Sequence, residues 1–227
     1  MTGTDASRSS VIAARVAIAA LVWFVAAVSL MHVLRPDYIP ARHFISDYAV
    51  GRYGGVMTSA FIALALGSLA LGVGLARSGP RAGPGRLGVI PLFVAAAGLV
   101  VTAIFETDLP GAPYTRAGDI HNASFLVNVG SLMLAALLLS WGFGGDARWR
   151  EFRRTSRGLV VLALAAFAFQ FLSLRKGAPY GIANRVFALT LVAWLLATSF
   201  RLSTLLGSAQ RDRPDRPGSS ARGTRAG

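Results

Sequence analysis

From Gly54 to Ala76 the chain runs without a single Asp, Glu, Lys or Arg. A helix of that length rises about 34 Å at 1.5 Å per residue, enough to cross a hydrocarbon core of about 30 Å. Open loops cannot cross lipid, because their backbone groups would go unpaired, so such a block is a helix or a buried re-entrant segment. Five more apolar blocks follow the same logic: Val16 to Leu34, Leu87 to Phe105, Ile120 to Gly145, Gly158 to Leu174, and Ile182 to Leu205 with Arg185 and Arg201 near its ends. The pattern predicts an all-α fold, a six-helix transmembrane bundle with short loops.

Composition agrees. Charged residues make up 15% of the 227 residues, against about 25% in a soluble domain. The membrane domain is placed at residues 11–206, between a disordered N-terminus (1–10) and a disordered basic tail (207–227) rich in Arg, Pro, Gly and Ser. The first apolar block is longer than the 7–15 residues of a secretory h-region, so it is read as a retained helix. The chain has no cysteine, which excludes disulfides, thiolate chemistry and Cys-ligated metals.

The net charge of +13 would point to nucleic acid in a soluble protein. Here the charges lie in short loops between apolar blocks, so no nucleic-acid partner is expected. With six crossings, 16 of the 23 basic residues fall on the side of the termini and 7 on the other. The richer side is expected to be cytoplasmic, with both termini inside, in the inner (plasma) membrane. The lipid bilayer is the expected partner, and the cytoplasmic loops are expected to meet anionic lipids. The run Trp149-Arg150-Glu151-Phe152-Arg153-Arg154 is read as an interfacial segment on such lipids.

The outer side collects chemistry. All five tyrosines and all three histidines fall there. Interface anchoring should populate both faces, so the one-sided distribution implies that the outer loops build something. The first outer loop interleaves charges with Tyr38, Ile39, Phe44 and Ile45, and Pro36 and Pro40 fix its path. It is expected to fold over the bundle mouth. His121, Ser124, Asn128 and Ser131 recur at helical spacing and should face inward, as should Thr102 with Glu106, and Gln170 with Ser173.

These segments define a candidate pocket of Arg42, His43, Ser46, Asp47, Glu106, Asp108, Asp119, His121, Asn128, Asn184 and Arg185. Glu106 is expected to need Arg185, Arg42 or His121 beside it. Asp47 and Ser46 are expected to lie near His121, the acid fixing the imidazole tautomer. His32, His43 and His121 are weak metal candidates, since no two stand at i, i+4; no metal and no cofactor is predicted. No P-loop, dinucleotide fingerprint or nucleophile elbow is present.

Three segments carry a likeness: Arg35-Pro36-Asp37-Tyr38 through Ile45-Ser46-Asp47-Tyr48, then Phe105-Glu106-Thr107-Asp108-Leu109-Pro110-Gly111 with Gly118-Asp119-Ile120-His121, and Gly181-Ile182-Ala183-Asn184-Arg185-Val186-Phe187 with Trp194. They resemble the bacterial and archaeal membrane family catalogued as domain of unknown function nine-nine-eight. That resemblance implies six helices and no assigned activity. On the residues alone, the expectation is an outward-facing polar pocket for a lipid headgroup or another small amphiphile. A membrane-embedded metal-dependent hydrolase and an accessory subunit of a membrane complex are the alternatives.

Overall fold

The computed structural model describes residues 3–81, 83–175 and 178–211. Within them the chain is helical, with no strand. The helices are α1 (Gly3–Leu34), α2 (Gly54–Ser78), a one-turn α3 (Pro84–Leu87), α4 (Val89–Ile104), α5 (Arg116–Gly142), α6 (Phe152–Leu172) and α7 (Tyr180–Arg211). Six stretches are long and apolar enough to cross a membrane, with α3 and α4 together forming the third. The protein is therefore a six-helix, multi-pass membrane protein.

Helix ends and apolar blocks do not coincide. α5 starts at Arg116 because Thr115 caps it, accepting the Gly118 N–H at 3.0 Å. α6 starts at Phe152, through Arg153, Arg154 and Arg157. Hydropathy marks where lipid begins, while the backbone ladder continues into the interface until a cap ends it. α1 likewise begins at Gly3 and α7 continues to Arg211. The rest of the tail expected to be disordered, residues 212–227, lies outside the described residues.

Each helix packs on its neighbours in chain order, α1 on α2, α2 on α4, α4 on α5, α5 on α6 and α6 on α7, and α7 closes the ring against α1. Lipid is as apolar as leucine, so helices associate by close van der Waals contact, which small side chains permit. Ala14, Ala17, Ala20 and Ala27 form the inner stripe of α1, and Leu21 of α1 seats against Gly67 of α2. At one end a Cβ on Gly142 would collide with the Gly85 backbone, so α3 and α5 cross there only because both are glycine.

The two ends differ. The root end carries the start of α1, the end of α7 and the segments around residues 79–81, 83–88 and 143–151. Trp149 is fully buried there, stacked on Phe143 with centroids 4.6 Å apart. Within the run expected at the interface the indole is turned into the bundle, while Arg150, Glu151 and Arg154 are exposed. Trp194 Nε1 donates to Ser156 Oγ at 2.9 Å, and Ser156 also bonds Ser140, tying α7, α6 and α5 together. The mouth end carries residues 35–53, 105–115 and the turn before α7.

Candidate functional site

The first mouth loop is organised by Arg35. Its guanidinium bonds both oxygens of Asp37 at 2.9–3.1 Å and the carbonyls of Val50 (2.9 Å) and Arg52 (3.1 Å), and lies 3.9 Å from the Tyr38 ring centroid. That pair holds the Asp37 carboxyl below its ordinary range. The loop then buries Ile45 and, in the 3₁₀ turn Ser46–Ala49 that follows it, Asp47 and Tyr48. Asp47 Oδ2 accepts the Phe44 N–H at 2.9 Å.

α7 holds this loop down. Asn184 Oδ1 accepts the Ile45 N–H at 3.0 Å, and the Gly181 N–H donates to the Ala41 carbonyl at 3.0 Å. Arg185 donates to the carbonyls of Pro40 (2.9 Å), His43 (2.7 Å) and Gly181 (2.8 Å), and to His32 Nε2 (2.8 Å). Tyr180 donates to the Arg42 carbonyl. A Cβ at Gly181 would strike the Pro40 and His43 carbonyls, so glycine is what lets the loop sit this low.

The second mouth loop is stapled at α5. Asp108 accepts the Thr115 N–H (2.9 Å) and hydroxyl (2.7 Å), which keep its carboxyl below the ordinary range. His121 Nδ1 donates to the Phe105 carbonyl at 2.8 Å. Thr102 Oγ1 meets Ser124 Oγ at 2.7 Å and accepts from Asn128 Nδ2 at 3.0 Å, a polar seam joining α4 to α5.

Between these loops and the helices lies a cavity of about 490 Å³. Its polar wall includes Ser46, Asp47, Asp108, His121, Asn128 and Asn184, with Gln170, Tyr180, Thr102, Thr107 and Asn122. Along α7 the lining passes from Tyr180 and Asn184 to Phe187, Ala188, Leu191, Val192 and Leu195, so it turns apolar with depth. Leu195 lies 15 residues past Tyr180, a helical rise of roughly 22 Å. Asp47 is 1% exposed, and burial pushes its carboxyl up to about 6 against the opposing pull of the Phe44 amide, His43 and Arg185.

Six of the eleven residues read from the sequence line this cavity; Arg42, His43, Glu106, Asp119 and Arg185 do not. Arg42 and Asp119 are exposed, and the His43 ring stacks on Tyr38 at 4.4 Å. Glu106 is exposed and forms no ion pair among the described residues. α4 ends at Ile104 and Phe105 is extended (φ −99°), so the helical spacing that linked Glu106 to buried Thr102 does not apply. Asp47 and His121 share the cavity, but no bond between them is formed: each binds a backbone group instead. The Phe105 carbonyl, not an acid, fixes the His121 tautomer. The residues missed are the apolar floor and the Arg185–His32 pair, whose two members are 153 positions apart. Among the described residues no group of three or more His, Asp or Glu converges.

The family described as Protein of unknown function (DUF998) matches the chain over residues 18–201. No curated protein and no solved structure matches it.

Proposed function

The chain belongs to the DUF998 family of proteins of unknown function, and we propose that it binds a small amphiphile or a lipid by its headgroup, with the polar end at the mouth and the chain in the apolar depth. One observation carries the reading: the lining of a single cavity changes from polar to apolar along α7, from Asn184 to Leu195, as an amphiphile does along its length. The volume of about 490 Å³ lies within the range of roughly 300–1,000 Å³ common to small-molecule sites. The excess of basic residues at the root supports a mouth that opens away from the cytoplasm, with both termini inside the plasma membrane.

The test is lipid mass spectrometry on protein purified in mild detergent. Wild type should carry a stoichiometric amphiphile, and Ala188→Phe, which fills the floor, should lose it while melting normally. Lipid retained equally in both would place it on the outer surface and end this reading.

A further inference from the structure

We propose that the head group at the mouth donates hydrogen bonds and carries no negative charge, so that the ligand is a hydroxyl- or amine-bearing lipid and not one headed by an anionic phosphate. This rests on the reading of the cavity as an amphiphile site and names the chemistry of its occupant.

The first ground is charge. Among the described residues no Arg or Lys lines the cavity, whereas the carboxylates Asp47 and Asp108 do. Phosphate sites are built from Arg forks, Lys or open helix N-termini. Of the mouth cations with buried heads, Arg35 is paired with Asp37, and Arg185 lies outside the lining, giving Nε and Nη1 to His32 and three carbonyls while Nη2 is buried without a partner. The N-terminus of α5 borders the cavity, but Thr115 and Asp108 already occupy it.

The second ground is an orphan acceptor. Gln170 lines the cavity and is 6% exposed, and its Oε1 is buried without a hydrogen-bond partner. A buried acceptor left unpaired is costly, and its natural complement is a donor. Asp47 and Asp108 add carboxylate acceptors to this wall, beside Ser46, Thr107 and Asn122, whose side chains can donate or accept. His121, its Nδ1 proton given to the Phe105 carbonyl, stands in the same wall. An ester-linked glycerol hydroxyl or a primary amine would meet these groups, while a phosphate brings only more acceptors and a like charge.

The experiment compares three probes on delipidated full-length protein: 1-oleoylglycerol, its 3-phosphate, and oleylamine. The first two share the glycerol and the chain and differ by the phosphate alone. The uncharged glycerol lipid, the amine or both should bind at least about ten-fold tighter than the phosphate. Gln170→Leu should weaken the preferred probe without lowering the melting temperature of the empty protein. If the amine wins, Asp47→Asn should remove its advantage over oleoylglycerol; if oleoylglycerol wins, it should not depend on that charge. Phosphate binding as tight or tighter overturns this inference and leaves the amphiphile reading standing. Failure of all three probes to bind overturns both. The wild-type comparison decides the matter even where a variant fails to fold.

Discussion

Arg185 Nε donates to His32 Nε2 at 2.8 Å, joining the last helix to the first. His32 Nδ1 meets the Val28 carbonyl at 2.7 Å, so the ring is neutral with its proton on Nδ1 and its lone pair toward the guanidinium. The same guanidinium holds the first mouth loop by the carbonyls of Pro40 and His43. Lysine cannot reproduce that fork. Arg185→Lys should therefore cost about 2 kcal/mol or more, from buried charge-assisted hydrogen bonds. It should also make a cysteine placed at Ser46 label faster with a thiol reagent. Unchanged melting and labelling would show that the loop is held by other contacts.

Asp47 sets a pH dependence of definite sign. Its folded carboxyl titrates at about 6, above the unfolded value of about 3.9. Between those values the folded state holds the extra proton, so this group makes stability fall as pH rises from about 4 to 6, and its cost is complete above that window. At about 1.4 kcal/mol per unit the span is on the order of 2–3 kcal/mol. Asp47→Asn should flatten that part of the pH–stability curve. A curve identical to wild type across the window would count against a buried, charged Asp47.

Two glycines should answer in opposite directions to the same substitution. A Cβ at Gly181 meets backbone carbonyls at both Pro40 and His43, whereas one at Gly130 meets nothing within 4 Å. Gly181→Ala should destabilise by about 1–3 kcal/mol through overpacking. Gly130→Ala should be neutral or stabilising by up to about 1 kcal/mol, from helix propensity. Thermal melts of the two variants side by side check this.

The root cluster of Trp194, Ser156 and Ser140 should behave as one unit. Trp194→Phe and Ser156→Ala should each cost about 0.6–1.7 kcal/mol, the measured range for hydrogen bonds between membrane helices. The double variant should cost less than their sum, because both remove the same bond. Strict additivity would separate the indole from the hydroxyl.

Orientation can be read chemically, since the native chain has no cysteine to give background. Cysteines at Ser78 and Ser208 should resist a membrane-impermeant thiol reagent in intact cells, and one at Ala112, which is exposed, should react. Ready labelling at Ser208 from outside would reverse the assignment of the mouth.

The helices were legible because lipid imposes one rule on every residue of a span, and the rule is local: no charges for some twenty positions. The cavity was legible where a polar side chain interrupts a span, as His121, Asn128 and Asn184 do, and where the outer loops gather polar groups, as at Ser46, Asp47 and Asp108. Glu106 misled because it lies just past a helix end, where spacing no longer fixes direction. Phe61, Phe187 and Leu195 gave no signal, since an apolar residue facing a cavity and one facing lipid look alike in sequence. Arg185 was placed correctly at the mouth but with the wrong partners, because its carbonyl acceptors belong to every residue type equally.

The closed order of the ring has a consequence for biosynthesis. Helices α1 to α6 can each settle against the one inserted just before, but the enclosure needs α7, made after all of them, to dock on α1. α7 also brings Asn184, Phe187 and Leu195 to the lining and Arg185 to the loop above it. Until that docking, the first mouth loop has only its own Arg35 contacts and α2 to hold it, and the cavity has no wall on that side. A nascent chain arrested before Tyr180 would be inserted and largely helical but would lack this wall, so on the proposed reading ligand capture waits for α7.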